Sequence, residues 1–248
     1  PALSEIDKVV GDLISFYEAR GIRLLILSEY GISPVSNVIY PNRIFRSEGW
    51  LSIKDELGLE YLDCGGSRSF AITDHQVAHI YLNDQSDSFR NKVRSRLENI
   101  EGIERVLDNE GKKEVGLNHS RAGDFVLFSK EHSWFAYYHW EDDQLAPDFA
   151  RCVDVHRKYG YDPTELFVDP SLSFPFLKIA RKLIGKKMGF RTSLDLIPLD
   201  ANLVKGSHGI RPKDHQDWPV IMGYGIQPTG STLDPTEVVN CILNLFED

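Results

Sequence analysis

A run of apolar residues broken only by Arg23, Ile22-Arg23-Leu24-Leu25-Ile26-Leu27, ends in Ser28-Glu29-Tyr30-Gly31. The run is too short for a helix and is flanked by Gly21 and Gly31, so it reads as a strand buried in a parallel sheet. Ahead of it, residues 3–21 place Ile6, Val9, Val10, Leu13, Ile14 and Tyr17 at helical spacing, and Ser4 with Asp7 makes a variant of the capping box. A helix leading into a buried strand is the repeating unit of an α/β sheet, and open sheets of this kind build their binding sites where strands end. Ser28-Glu29-Tyr30-Gly31 is one such place, and Gly206-Ser207-His208-Gly209 is a second, with polar side chains set beside glycines.

The rest of the chain supplies both kinds of element. A short helix is expected over 42–46 and a strand over Trp50-Leu51-Ser52-Ile53. Residues 69–83, rich in β-branched and aromatic side chains, read as strand. Residues 86–100 read as helix, with Phe89, Val93, Leu97 and Ile100 at three- and four-residue steps, and residues 103–107 return to strand. The block 50–120 is therefore expected as a small α+β insertion, with 1–49 and 121–248 forming the main α/β core. Phe125-Val126-Leu127-Phe128 and the aromatic stretch 134–140 restart β structure. Residues 141–169 are polar and irregular, and a stretch of that length within a domain is expected near a functional site. Lys178, Arg181, Lys182, Lys186 and Lys187 oppose Leu177, Ala180, Leu183, Ile184 and Met188, which reads as an amphipathic helix with a solvated basic face. Asp234-Pro235-Thr236-Glu237 caps a closing helix.

With 42% hydrophobic and 26% charged residues the chain can build a core, and a net charge of -9 argues against a general nucleic-acid surface, which depends on clustered Lys and Arg. Cys64, Cys152 and Cys241 are odd in number and widely spaced, so neither a Cys-x-x-Cys metal site nor a disulfide framework is expected, and a reducing, cytoplasmic setting is the default. No run approaches the roughly eighteen apolar residues of a membrane span, so no membrane partner is expected.

Helix, strand and Ser-Glu-Tyr-Gly, then Gly-Ser-His-Gly and a closing Pro219-Val220-Ile221-Met222 strand with its capped helix, resemble the second half of the alkaline phosphatase superfamily. The type I phosphodiesterase/nucleotide pyrophosphatase family is the branch most similar. In that family the strand ends Ser-Asp-His-Gly, whose Asp and His bind one of two zinc ions, and a later Gly-x-His-Gly supplies a ligand to the other. The resemblance implies an α/β fold, the carboxy-terminal half of a doubly wound alkaline-phosphatase-like sheet. It also implies a metal-dependent hydrolase of phosphate esters acting on a small phosphorylated substrate. Its divalent metal would be zinc, as one or two ions, with Mn²⁺ as the alternative. Residues that precede this helix in the family carry the nucleophilic Thr or Ser. The chain is therefore expected to be a carboxy-terminal portion whose partner is the missing amino-terminal half, and to be inactive alone.

Carried onto this chain, the motifs make His208 a metal ligand and Glu29 a carboxylate ligand one methylene longer than the usual Asp. Tyr30 replaces an imidazole with a phenol of pKa about 10, a poor zinc ligand, and is grouped with the substrate-binding residues. Replacement ligands are sought in Asp74-His75-Gln76-Val77-Ala78-His79. Read as one continuous strand, this segment holds His75 and His79 roughly 13 Å apart, too far for one ion; a bend at Asp74 would let one of Asp74, His75 and His79 reach the site. Asp74 and His75 are the metal candidates there. His156 and Lys158, beside Arg157, are candidates for holding a substrate phosphate or carboxylate, the other reading being pairing with Asp154 and Asp162. His119, His132, His139 and His215 are expected to be ordinary structural histidines. Two other functions stay open: a related phosphonate or sulfate ester hydrolase or phosphomutase, and a degenerate, non-catalytic binding domain of the same fold, for which Tyr30 speaks.

Overall fold

The computed structural model describes residues 2–154, 156–190, 192–224 and 232–246. In chain order, helix α1 (Ala2–Glu18) leads to β1 (Leu24–Leu27), and the short strands β2 (Ser33–Pro34) and β3 (Asn37–Ile39) lead to α2 (Pro41–Ser47). Two hairpins follow, β4 (Ile53–Glu56) with β5 (Leu59–Leu62) and β6 (Ser69–Asp74) with β7 (Val77–Leu82). Then come α3 (Asp87–Glu98), β8 (Ile103–Leu107), α4 (Asn109–Glu114), β9 (Phe125–Ser129) and β10 (Ser133–Phe135). After a long irregular stretch the chain adds α5 (Pro175–Lys187), β11 (Gly206–Ser207), β12 (Ile221–Tyr224) and α6 (Val238–Leu243). The mixed α/β class expected from the sequence is the one that forms.

The chain divides into two compact units, residues 1–31 with 214–248, and residues 32–213. Neither edge of the 50–120 block coincides with this division. In the first unit, α1 forms where the apolar spacing places it, but β1 departs from expectation. It pairs antiparallel with β12, Leu24 opposite Tyr224 and Leu27 opposite Ile221, and is half-buried to exposed rather than buried in a parallel sheet. A two-stranded sheet covers neither of its own faces, and none of the described residues of this unit is buried. Leu3, Ile6, Val9, Leu13 and Phe16 of α1 all stand exposed.

The second unit is organised around a four-stranded antiparallel sheet in the order β6-β7-β9-β8. Alternate residues of β6 and β7 face inward, as period-two strands with one covered face require. Helix α3 presents Phe89, Val93 and Leu97 to that face at four-residue steps, joined by Ala71, Ile80, Phe125, Leu127 and Phe45 of α2. Burying side chains of this size stabilises the fold by about 1.5–3 kcal/mol each. Because β9 belongs to this sheet, the sheet runs across the expected boundary between the insertion and the core.

A second cluster gathers Trp134, Tyr137, Tyr138, Trp140, Phe149 and Leu199. The aromatic strand expected over 134–140 stops at Phe135, and the reason lies in α2. The carbonyls of Tyr137, His139 and Trp140 accept hydrogen bonds from the side chains of Asn42 (2.9 Å), Arg46 (3.2 Å) and Arg43 (2.6 Å), so side chains take the place of a neighbouring strand. Asn42 is fully buried, and its amide also serves β6, donating to Ala71 O at 3.0 Å and accepting from Ala71 N at 2.8 Å. The strand expected over 50–53 begins only at Ile53, because Trp50 turns inward to meet Phe89 edge-on, with ring centroids 5.4 Å apart. On α5, the basic face expected to be solvated is partly tied down: Lys178 and Lys182 both pair with Asp195, at 3.0 and 2.7 Å.

Candidate functional site

Three separate stretches of the second unit meet at the tip of the β6–β7 hairpin. The sequence read 69–83 as one strand, whereas Asp74 and Val77 face each other across a two-residue turn made by His75 and Gln76. His75 takes φ +54, a conformation sparsely used by residues with a side chain. Such a conformation persists only where the surroundings over-determine it. Here Phe135 N donates to His75 O (2.7 Å), Ser129 N to Gln76 O (3.0 Å), and the Gln76 side chain to the carbonyls of Glu131 (2.9 Å) and Ser133 (3.2 Å).

The second stretch is the loop after β11, a strand fixed by antiparallel pairing with β2. His208 O accepts from Gln76 N at 2.9 Å, which ties this loop to the turn. Gly209 follows at φ +120, where a Cβ would also press within 3.2 Å of Val77. The two imidazoles of His75 and His208 then lie with ring centroids 3.9 Å apart and planes inclined by 33°.

Residues 159–161 form the third. Thr73 N donates to Tyr159 O (3.2 Å) and Tyr161 N to Thr73 O (3.0 Å), a parallel bridge along β6 centred on Gly160. A Cβ at residue 160 would lie 1.8 Å from Thr73 O, and φ there is +123, so only glycine fits. The bridge lays the Tyr161 ring on His75 at 4.8 Å, with the planes 17° apart.

His75 Nδ1 donates to Asp74 Oδ1 at 2.7 Å. That bond, helped by the charges of His75, His208 and His79 and opposed by burial, holds the Asp74 carboxyl below its ordinary pKa. The arrangement occupies Nδ1 of His75 and leaves Nε2 for a ligand, the pattern in which a carboxylate orients a metal-binding imidazole. His79, on the far side of β7, is pushed down by burial and by the Lys112 charge; its Nδ1 accepts from Gly123 N (3.1 Å), so it carries its proton on Nε2. Among the described residues no group of three or more His, Cys, Asp and Glu is placed to hold a metal ion. The turn thus brings two imidazoles together and not the three or four ligands of a closed site.

A family model, type I phosphodiesterase / nucleotide pyrophosphatase, matches residues 1–162. The chain belongs to this family. It is a branch of the alkaline phosphatase superfamily, and its members are phosphoester hydrolases that typically depend on divalent metals. No curated protein matches the chain. Among solved structures, the chain is similar to phosphonoacetate hydrolase from Sinorhizobium meliloti 1021 in complex with phosphonoformate, with 22% identity over 52% of this chain and 32% of that one and a TM-score of 0.37. It is also similar to human ectonucleotide pyrophosphatase / phosphodiesterase 5, with 17% identity over 57% of this chain and 34% of that one and a TM-score of 0.39. A third is an inactive form of the murine enzyme in complex with AMP, with 17% identity over 56% and 33% and a TM-score of 0.38. The chain spans about a third of the length of each of these structures.

Of the residues singled out from the family motifs, His208 lies at the hairpin turn, with the added candidates His75 and Asp74 beside it. Glu29 and Tyr30 belong to the other unit, where both are exposed and the preceding Ser28 extends the β1–β12 pairing through Val220. His156 is exposed. Lys158 corrects the expectation of an anion-binding cluster. Its ammonium is fully buried between Asp162 Oδ2 (3.1 Å) and Glu165 Oε1 (2.7 Å), out of reach of a substrate, while Arg157 pairs with Asp148 at 2.7 Å. The phosphodiesterase motifs gave no sign of Tyr161. The available signal was Gly160, a glycine just before an aromatic residue in an otherwise polar stretch.

Proposed function

We infer that this protein is a phosphoric ester hydrolase of the type I phosphodiesterase/nucleotide pyrophosphatase family, acting on a small phosphorylated substrate. The observation that carries the reading is the family match, joined to the seating of His208, the residue of the family's Gly-x-His-Gly motif, against a second imidazole. His208 and His75 would hold a divalent metal, zinc ahead of manganese, with Asp74 orienting His75. Glu29 is a metal-ligand candidate on the resemblance alone, and Tyr30 and His156 are substrate-binding candidates on the same footing. The bound metal would supply Lewis-acid stabilisation of charge on the phosphoryl oxygens. The chain's own contribution is to fix the two imidazoles in place before a ligand arrives. Three free thiols fit a reducing, cytoplasmic setting.

One alternative has an observation of its own. A family member that kept the fold and serves as a metal-free binding domain would account for Tyr30 at the motif position and for the absence of a closed ligand group among the described residues. Metal content and hydrolysis of an aryl phosphodiester by the protein, compared between wild type and His208→Ala, separate the two. Loss of metal and turnover together in the variant supports the hydrolase; a wild type with neither metal nor activity rules it out in favour of the binding domain.

A further inference from the structure

We propose that the buried Lys158–Asp162–Glu165 triad is an anchor for Tyr161, and that Tyr161 is a positioning residue fixing the ring of His75 beside His208. The proposal rests on the reading of that histidine pair as the functional centre.

Side-chain exposure of Lys158, Asp162 and Glu165 is 0%, 1% and 7%. Asp162 is further engaged: its Oδ1 accepts from Thr164 N (3.2 Å), Thr164 Oγ1 (2.7 Å) and the Tyr138 hydroxyl (3.4 Å). Three charges in an interior are a poor device for stability, since apolar residues of similar volume hold such places as well or better. What the triad does supply is geometry. It fixes the chain at residues 158 and 162, and between those points lie Gly160, pressed onto Thr73, and Tyr161, stacked on His75.

Thr73 and His75 are two residues apart on the same hairpin, so the bridge that places Tyr161 is referenced to the element that carries the imidazole. An imidazole turns broadly about its outer torsion. The hydrogen bond from Nδ1 to Asp74 restricts one edge of the ring, and the Tyr161 face restricts its plane. With both in place, Nε2 has a fixed direction. A centre loosened at this supporting layer keeps its residues and loses their aim.

The test uses Tyr161→Leu, which removes the ring, Tyr161→Phe, which keeps it, and Lys158→Met, each read by the NMR resonances of the His75 ring and by Zn²⁺ titration. Tyr161→Leu is expected to remove the ring-current displacement of the His75 resonances and to weaken Zn²⁺ binding about tenfold, the lower end for loss of a residue that supports a ligand. Tyr161→Phe is expected to preserve both, and folded Lys158→Met to shift the His75 resonances as Tyr161→Leu does. Unchanged His75 resonances in Tyr161→Leu, or a Phe variant that behaves like Leu, overturns the proposal. If wild type binds no Zn²⁺, the metal reading of the function falls, and the resonances alone still decide whether Tyr161 positions His75.

Discussion

Acid should weaken the second unit through His139. Its imidazole is fully buried, donates from Nε2 to Glu60 O at 3.0 Å, and has no partner for Nδ1. A second proton would sit on that unpartnered buried nitrogen, and desolvation lowers the pKa from its ordinary 6.5 to about 4. The unfolded chain takes up the proton as pH falls through 6.5, whereas the folded chain refuses it until about 4. Stability is therefore full above pH 6.5, declines between 6.5 and 4, and has no further dependence on this group well below 4. At 1.36 kcal/mol per pKa unit, the loss by pH 4 is about 3 kcal/mol. Substituting His139→Gln removes the titration while keeping a donor for Glu60 O. The measurement is urea unfolding from pH 7 to pH 4, followed by fluorescence of Trp134 and Trp140, whose indole lies 5.2 Å from the His139 ring. The variant starts less stable at pH 7 but should lose about 3 kcal/mol less than wild type on acidification. Equal losses in the two proteins would refute the assignment of this proton to His139.

Gly160→Ala would place a methyl group within 1.8 Å of Thr73 O at a φ of +123; thermal unfolding should show a loss of about 3 kcal/mol or more, and an unchanged Tm would mean that the bridge to β6 does not exist in solution. At the tip of the β4–β5 hairpin, Leu57 is fully exposed with φ +57 ahead of Gly58 at +80, a turn that favours Asn at its first position. Leu57→Asn should raise stability by about 1 kcal/mol in urea unfolding, and a destabilised variant would show that the leucine is in contact with something.

The helices and strands with strong periodicity were legible from sequence, and so was the α/β class. Helix α3 announced itself through Phe89, Val93 and Leu97, and β9 through Phe125 to Phe128. Pairing was not legible. The apolar run at Leu24–Leu27 carries the composition of a central parallel strand, but composition does not say which strand lies beside it. The two-residue turn at His75 was hidden because it uses neither Asn-Gly nor Gly-Gly; its left-handed residue is a histidine, and four hydrogen bonds between the turn residues His75 and Gln76 and segment 129–135 hold the turn. The same holds for the candidate site. His208 was visible because glycines flank it. Its neighbours His75 and Tyr161 are distant in sequence, and only folding brings them together. Lys158 looked like a phosphate ligand because sequence shows charge and not depth.

Strand β6 is the terminal strand of its sheet, and Ser69, Ala71 and Thr73 along its outer side make hydrogen bonds to other parts of the chain. Ser69 N is taken by Trp50 O, both Ala71 backbone groups by the Asn42 amide, and both of Thr73 by Tyr159 and Tyr161. An unpaired edge is a template for strands of other molecules. Here the cover comes from a loop, a helix side chain and the segment that carries Tyr161, so the contacts that assemble the histidine centre also deny that edge to aggregation.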